Sequence, residues 1–158
     1  MIPQPVDTTV RRASVADAPA VARLLHDFQT EFSEPVPELD ALAERVTQFI
    51  EREEAAFLLA GSGPDGVAEV RFRPSIMTGA LDAYLEELYV APAERGQGLG
   101  RVLLEAAMET ARQQGAGRME LGTSEEDTAA RGLYESAGFS NREGKPDGPV
   151  MFFYERDL

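Results

Sequence analysis

The residues with chemistry to offer are concentrated in one run, YLEELYVAPAERGQGLGR, residues 84–101. Gly96, Gly98 and Gly100 fall within five residues and lead directly into an amphipathic segment. Glycine lets backbone N–H groups approach an anion closely, and a helix start favours negative charge. Arg95 and Arg101 flank the loop and add counter-charge. The pattern suits a phosphate-holding loop, although the same glycines would also serve a tight turn that needs positive φ. Two phosphate motifs are excluded. A P-loop needs Lys-Ser or Lys-Thr, and neither dipeptide occurs. A dinucleotide fingerprint starting at Gly96 or Gly98 needs a third glycine where Arg101 or Leu103 stands. Ahead of the loop lie two adjacent carboxylates, Glu86 and Glu87. Neighbours on a regular strand point to opposite faces, so only one of the two is expected to face a site, and periodicity does not say which.

The elements that must position these residues follow from pattern. TTVRRAS reads as a short strand, and Ser14 with Asp17 three residues on reads as a helix start. A helix over 15–30 places Val21, Leu24, Leu25 and Phe28 on one face, and SEPVPE breaks it. A second helix over 38–53 repeats the pattern with Leu39, Leu42, Val46, Phe49 and Ile50. AAFLLAG and VAEVRFR read as a hairpin joined through SGPDG, and LDAYLEELYV as a long strand. A helix from the glycine loop to Gly115, the strand RMELGT and a helix ended by Gly138 come next. A final pair of strands is expected over 139–142 and 150–156. The order is β-α-α-β-β-β-α-β-α-β-β, a mixed α/β chain with antiparallel pairing in the middle and not a doubly wound sheet.

The chain's 158 residues suffice for one domain spanning 1–158. No cysteine is present, which removes disulfides, thiolate metal sites and a cysteine nucleophile. His26 is the only histidine and has no metal-ligand partner pattern, so no metal is expected. No run is long and apolar enough to span a bilayer, and the start lacks a signal-peptide pattern, which together favour the cytoplasm. The net charge of −13 disfavours nucleic acid, whose phosphates call for Lys and Arg. It suits solubility and could attract a cation. The charge is concentrated: from Asp27 to Glu54, nine acids stand against two arginines, a net −7.

The loop Arg95-Gly96-Gln97-Gly98-Leu99-Gly100, with ELYVAP before it and an amphipathic helix after it, closely resembles the central motif of the GNAT superfamily of N-acetyltransferases. DTAARGLYESAGF, residues 127–139, is similar to that family's next motif, and the element order fits from first strand to last. The resemblance implies acetyl-CoA as co-substrate, its pyrophosphate wrapped by Arg95, Gly96, Gln97, Gly98, Leu99, Gly100 and Arg101, mostly through backbone N–H groups. It implies a bulged strand that splays from its neighbour, with Leu88, Tyr89 and Val90 beside the cofactor arm. Asp127 occupies a position where many members have an arm-contacting Asn, and a carboxylate cannot donate that hydrogen bond unless protonated.

Acetyl transfer to an amine requires that the ammonium lose a proton, that the thioester carbonyl be polarised, and it gains from protonation of the departing thiolate. The polyamine-acetylating branch has a similar Tyr-Leu-Glu-acid stretch, and the resemblance assigns the base to Glu86, acting through a water. The competing reading of either glutamate is a solvated residue or an ion pair with Arg71 or Arg73 on the neighbouring strand. The same resemblance gives carbonyl polarisation to the Leu88 N–H and the general acid to Tyr134. It places the acceptor among the first two helices, where Phe28, Glu31 and Phe32 would suit a small cationic amine. A protein or peptide amine, or a non-catalytic acyl-CoA-binding module, are the other readings, and a homodimer stays open.

Overall fold

The computed structural model describes residues 2–158. The chain divides into two compact units, Met1–Leu121 and Gly122–Leu158. The first holds a five-stranded sheet in the order β1 (Val10–Arg12), β2 (Ala55–Ala60), β3 (Gly66–Pro74), β4 (Leu81–Val90), β5 (Ala116–Leu121). Every pairing is antiparallel except β4 with β5, whose parallel arrangement needs the crossover helix α3 (Leu99–Gln113) between them.

Helices α1 (Ala18–Glu31) and α2 (Leu39–Glu51) lie between β1 and β2 in sequence and cover one face of the sheet. There Val21, Leu24 and Val46 pack against Phe57, Leu59, Val67 and Tyr89, with Leu25, Phe28, Phe49 and Ile50 closing the edges. Before α1, the chain makes one tight turn, Val15–Asp17. The Asp17 carboxylate accepts from the Ser14 N–H at 2.8 Å and from both Arg11 guanidinium nitrogens at 2.8 Å. Arg11 and the Ser14 N–H hold that carboxyl far below its usual range.

Helix α3 buries Leu99, Leu103, Leu104, Ala107 and Ala111. Gly66 on β3 is what lets it approach, because a Cβ there would lie 2.8 Å from the Leu103 side chain and 3.1 Å from the Tyr89 carbonyl oxygen. The second unit holds α4 (Thr128–Ser136), whose N-cap is Asp127.

The last two strands expected from sequence do not form. Only a single antiparallel bridge, Arg142 with Val150, joins the two segments. Pro149 lacks a ladder donor, Gly144 turns the chain at φ 73°, and an isolated two-stranded ribbon has marginal stability. Phe152, Phe153 and Tyr154 are correspondingly exposed.

Candidate active site

The site is built on β4, where the strand departs from regularity. Between β3 and β4 the register runs Ala68 with Leu88, Glu69 with Glu87, and then Val70 with Leu85. Glu86 is therefore the extra residue of a β-bulge. Bulging changes which way the glutamates face. Tyr84 is paired with Arg71 and Tyr89 with Val67, both on the face covered by α1 and α2. Alternation forward from Tyr84 puts Glu86 on this face, and alternation back from Tyr89 puts Glu87 on it too. The expectation that the two carboxylates face opposite ways is overturned, because one inserted residue breaks the two-residue period.

The carboxylates differ in environment. Glu86 is exposed, whereas Glu87 is half-buried. Glu69, directly across the ladder from Glu87, is buried at 7% exposure, the one charged or polar residue so buried among the described residues. Burial, reinforced by the neighbouring charge of Glu86, pushes Glu87 up to about 7. Burial, then Glu86 and Glu87, pushes Glu69 up to about 7 against an opposing pull from Arg71. Among the described residues, neither Arg71 nor Arg73 forms an ion pair with the glutamates at the bulge. Arg73 lies 3.9 Å from Asp82 and 3.7 Å from Glu120. The Arg71 guanidinium lies 4.5 Å above the Phe49 ring, and its buried Nε has no hydrogen-bond partner among the described residues.

These shifts make a stability prediction. Glu69 and Glu87 bind protons more tightly folded than unfolded, so their stabilising contribution is full below about 4.5 and is lost as pH rises through about 7. Melting temperature is expected to fall between pH 5 and pH 8.5. Glu69→Gln, which removes one of the two groups, is expected to flatten that fall by roughly 1–3 kcal/mol of unfolding free energy. An unchanged pH dependence in the variant, measured by calorimetry, would show that Glu69 titrates normally.

Beyond the bulge, β4 leaves its parallel neighbour. The β4–β5 ladder ends at Leu85 with Leu121, the last residue of β5. Leu88, Tyr89 and Val90 keep their partners on β3 and have none on β5. This is the splayed arrangement expected from sequence. The Tyr89 ring is buried, edge-on to Phe28 at 5.2 Å, so only its backbone is available at the open edge.

The glycine loop follows directly. Gly96 and Gly98 have φ of 76° and 88°, values that side chains rarely adopt, and a Cβ at either would meet nothing within 4 Å. Gly98 is also the N-cap of α3, where no side chain bonds the first-turn N–H groups and no acid occupies that turn. Gly100 sits in that turn, and the Leu99 side chain is buried, leaving its backbone to face outward contacts. An open cradle over an uncapped helix start fits the pyrophosphate of acetyl-CoA. Gln97 and Arg101 are exposed beside it.

Arg95 has a more specific position than the sequence suggested. Its guanidinium donates to both Glu31 oxygens, at 2.7 and 3.0 Å, and its Nε donates to the Val90 carbonyl at 2.9 Å. It also lies 5.6 Å from the Tyr89 ring centre. The loop is thus tied to the last residue of α1, and Glu31, expected beside the acceptor, is engaged by the loop. Phe28 stacks at a tilt on Phe32 at 5.2 Å, and Phe32 is more than half exposed. Phe28, Glu31 and Phe32 therefore stand together at the end of α1.

In the second unit, Asp127 accepts from the Ala130 N–H at 3.0 Å, so its carboxylate caps α4. The Tyr134 ring packs edge-on to Phe139 at 6.1 Å. Among the described residues, no group of three His, Cys, Asp or Glu is placed to hold a metal ion, and no helix is long and apolar enough to cross a membrane.

Sequence reasoning missed Glu69. Its signal was there: one acid in VAEVRFR, between Ala68 and Val70 in a strand with neighbours on both sides.

The chain is similar to known acetyltransferases. The model of the acetyltransferase (GNAT) family matches residues 21–139. An aminoglycoside N(6')-acetyltransferase type 1 of Stenotrophomonas maltophilia is 32% identical over 141 residues, covering 85% of this chain and 88% of that protein. The uncharacterized N-acetyltransferase YjgM of Escherichia coli K12 is 30% identical over 151 residues, covering 87% and 84%. A crystal structure from Arthrobacter sp. FB24, assigned as an acetyltransferase, superposes with a TM-score of 0.87 at 43% identity over 95% of this chain and 96% of that one. With the bulged and splayed β4, the open glycine cradle and these relatives in agreement, the chain belongs to the GNAT family of acetyltransferases.

Proposed function

We propose that this protein transfers an acetyl group from acetyl-CoA to a primary amine of a small, cationic acceptor, both being bound at once. The observation that carries the reading is the pair Glu86 and Glu87 on one face of β4, immediately before the splayed edge and the glycine loop. Acetyl-CoA, when bound, supplies an activated acetyl thioester. The backbone of Gly96 to Arg101 holds its pyrophosphate, and the open β4 edge at Leu88 and Val90 runs beside its arm. Glu86, the exposed carboxylate of the bulge, accepts the ammonium proton through a water, which exposes the nitrogen lone pair. The Leu88 N–H donates to the carbonyl oxygen as negative charge develops there.

Tyr134 gives a proton to the departing sulfur. A thiol of pKa near 8.5 leaves tolerably without one, so Tyr134→Phe is expected to lower turnover by roughly 10- to 10²-fold without changing acetyl-CoA affinity. Wild-type turnover, measured where chemistry limits the rate, would reduce Tyr134 to its packing on Phe139.

The acids on this face support a cationic acceptor. Asp27 and Glu31 raise the Tyr89 hydroxyl's pKa after burial, and Glu86, Glu120 and Glu87 do the same for Tyr84. The similarity to an aminoglycoside acetyltransferase supports a multiply charged amine. A thiol-release assay with aminoglycosides, polyamines, monoamines and lysine peptides tests the reading. Release with the polycationic small molecules is expected. Release with peptides alone would make a protein amine the substrate, and acetyl-CoA binding without release for any amine would leave a binding module.

A further inference from the structure

Glu69 has no role in the reaction outlined above, yet its placement is the least expected in the sheet. It sits on a central strand with Phe57 across one ladder and Glu87 across the other. Residues directly opposite on antiparallel strands have Cβ atoms about 4.5–5.5 Å apart. Two carboxylates at that separation, one of them buried, cannot both stay ionised at low cost. The pull of Arg71 offsets this only in part, and it makes no ion pair with Glu69 among the described residues. Glu69 makes no hydrogen bond or ion pair among the described residues, and the nearby Arg71 is held over Phe49. The groups facing Glu69 are Glu86 and Glu87 from β4 and Arg71 from β3 itself, while β2 offers Phe57 and α2 offers Phe49.

We propose that Glu69 is a positioning residue that holds one proton in common with Glu87, and that this pair draws a cationic amine to the exposed Glu86 of the bulge. Below neutral pH the pair carries one charge or none. Above it the pair carries two, and a cation approaching Glu86 gains the second. Glu69 thus makes acceptor affinity rise across neutral pH. The proposal rests on the reading that β4 carboxylates receive the amine. It adds a residue from β3 that works through Glu87 and touches neither substrate.

The test is a carbon-13 NMR titration of the glutamate carboxyls in the full chain, with spermidine as a cationic probe. In the wild type, Glu69 and Glu87 are expected to titrate near neutrality. In Glu69→Gln, the Glu87 midpoint is expected to fall by about one unit or more, since its charged neighbour is gone. Spermidine is expected to bind the wild type on the order of 10-fold more tightly at pH 8 than at pH 5.5, with the ratio shrinking to about threefold or less in Glu69→Gln. Glu69→Asp, which keeps the charge, restores part of the dependence. An unmoved Glu87 midpoint in a folded Glu69→Gln protein would overturn the shared proton. A moved midpoint with unchanged spermidine binding would overturn the positioning role. Neither result depends on turnover, so thiol release that failed with every amine would strike the proposed reaction and leave this inference to the titration.

Discussion

Glu86→Gln is expected to lower turnover on the order of 10²-fold or more and to leave acetyl-CoA affinity unchanged. The amide keeps the shape of the side chain and its place in the bulge, and loses only the capacity to accept a proton. An ammonium of pKa near 10 has almost no free lone pair at neutral pH, so the acceptor must be deprotonated in the site. The deficit is expected to shrink as pH rises, because a growing share of amine arrives neutral. Glu87→Gln is the control. Glu87 lies on the same face but is half-buried and paired with Glu69, so its loss is expected to change the pH dependence more than the maximal rate. Steady-state kinetics on both variants from pH 6 to 9 decide the matter. Equal losses would make the pair, and not Glu86, the proton acceptor.

Gly98→Val is expected to abolish most acetyl-CoA binding in a protein that still folds. Two effects act together. Gly98 has φ of 88°, which a β-branched residue adopts only under strain. Its missing Cβ also leaves the space above the α3 start open, and the valine would fill it. Strain alone would cost about 1–2 kcal/mol of stability, whereas blocking the cradle is expected to weaken binding by roughly 10²-fold or more. Thermal stabilisation by acetyl-CoA separates the two, since a ligand specific for the folded state raises stability by mass action. A variant with a lower melting temperature but a full acetyl-CoA-induced shift would place the phosphates elsewhere.

How legible the site was depended on the length scale of each signal. The glycine loop and the α3 start were readable because positive φ and close backbone approach restrict a position to glycine. Strand β4 was bounded correctly at Leu81 and Val90 by its aromatic and aliphatic run. The direction of Glu86 and Glu87 was not readable. Alternation within one strand assumes a regular partner, and the bulge is a property of the register between β3 and β4. Glu69 was overlooked for the same reason, since its meaning comes from the residue opposite. Capping by Asp127 is local, and Ala130 three residues on lies within its reach. The missing final strands show the reverse error: an apolar run suggested pairing, while the prolines and glycines between the segments allowed one bridge.

The Arg95–Glu31 pair joins residues 64 positions apart, tying the loop that would hold one substrate to the helix end that would meet the other. Any thermodynamic coupling through this tether is reciprocal: whatever acetyl-CoA does to acceptor affinity by fixing Arg95, the acceptor does to acetyl-CoA affinity by fixing Glu31. The ion pair is partly exposed, so its own strength is modest and salt-sensitive. Its consequence is a preferred order of events. A loop already engaged by phosphate presents a settled α1 end to the amine, so less conformational freedom remains to be lost when the second substrate arrives. Sequential kinetics with acetyl-CoA leading are the expected outcome, to be read from initial-rate patterns against both substrates, and Glu31→Gln is expected to weaken that order.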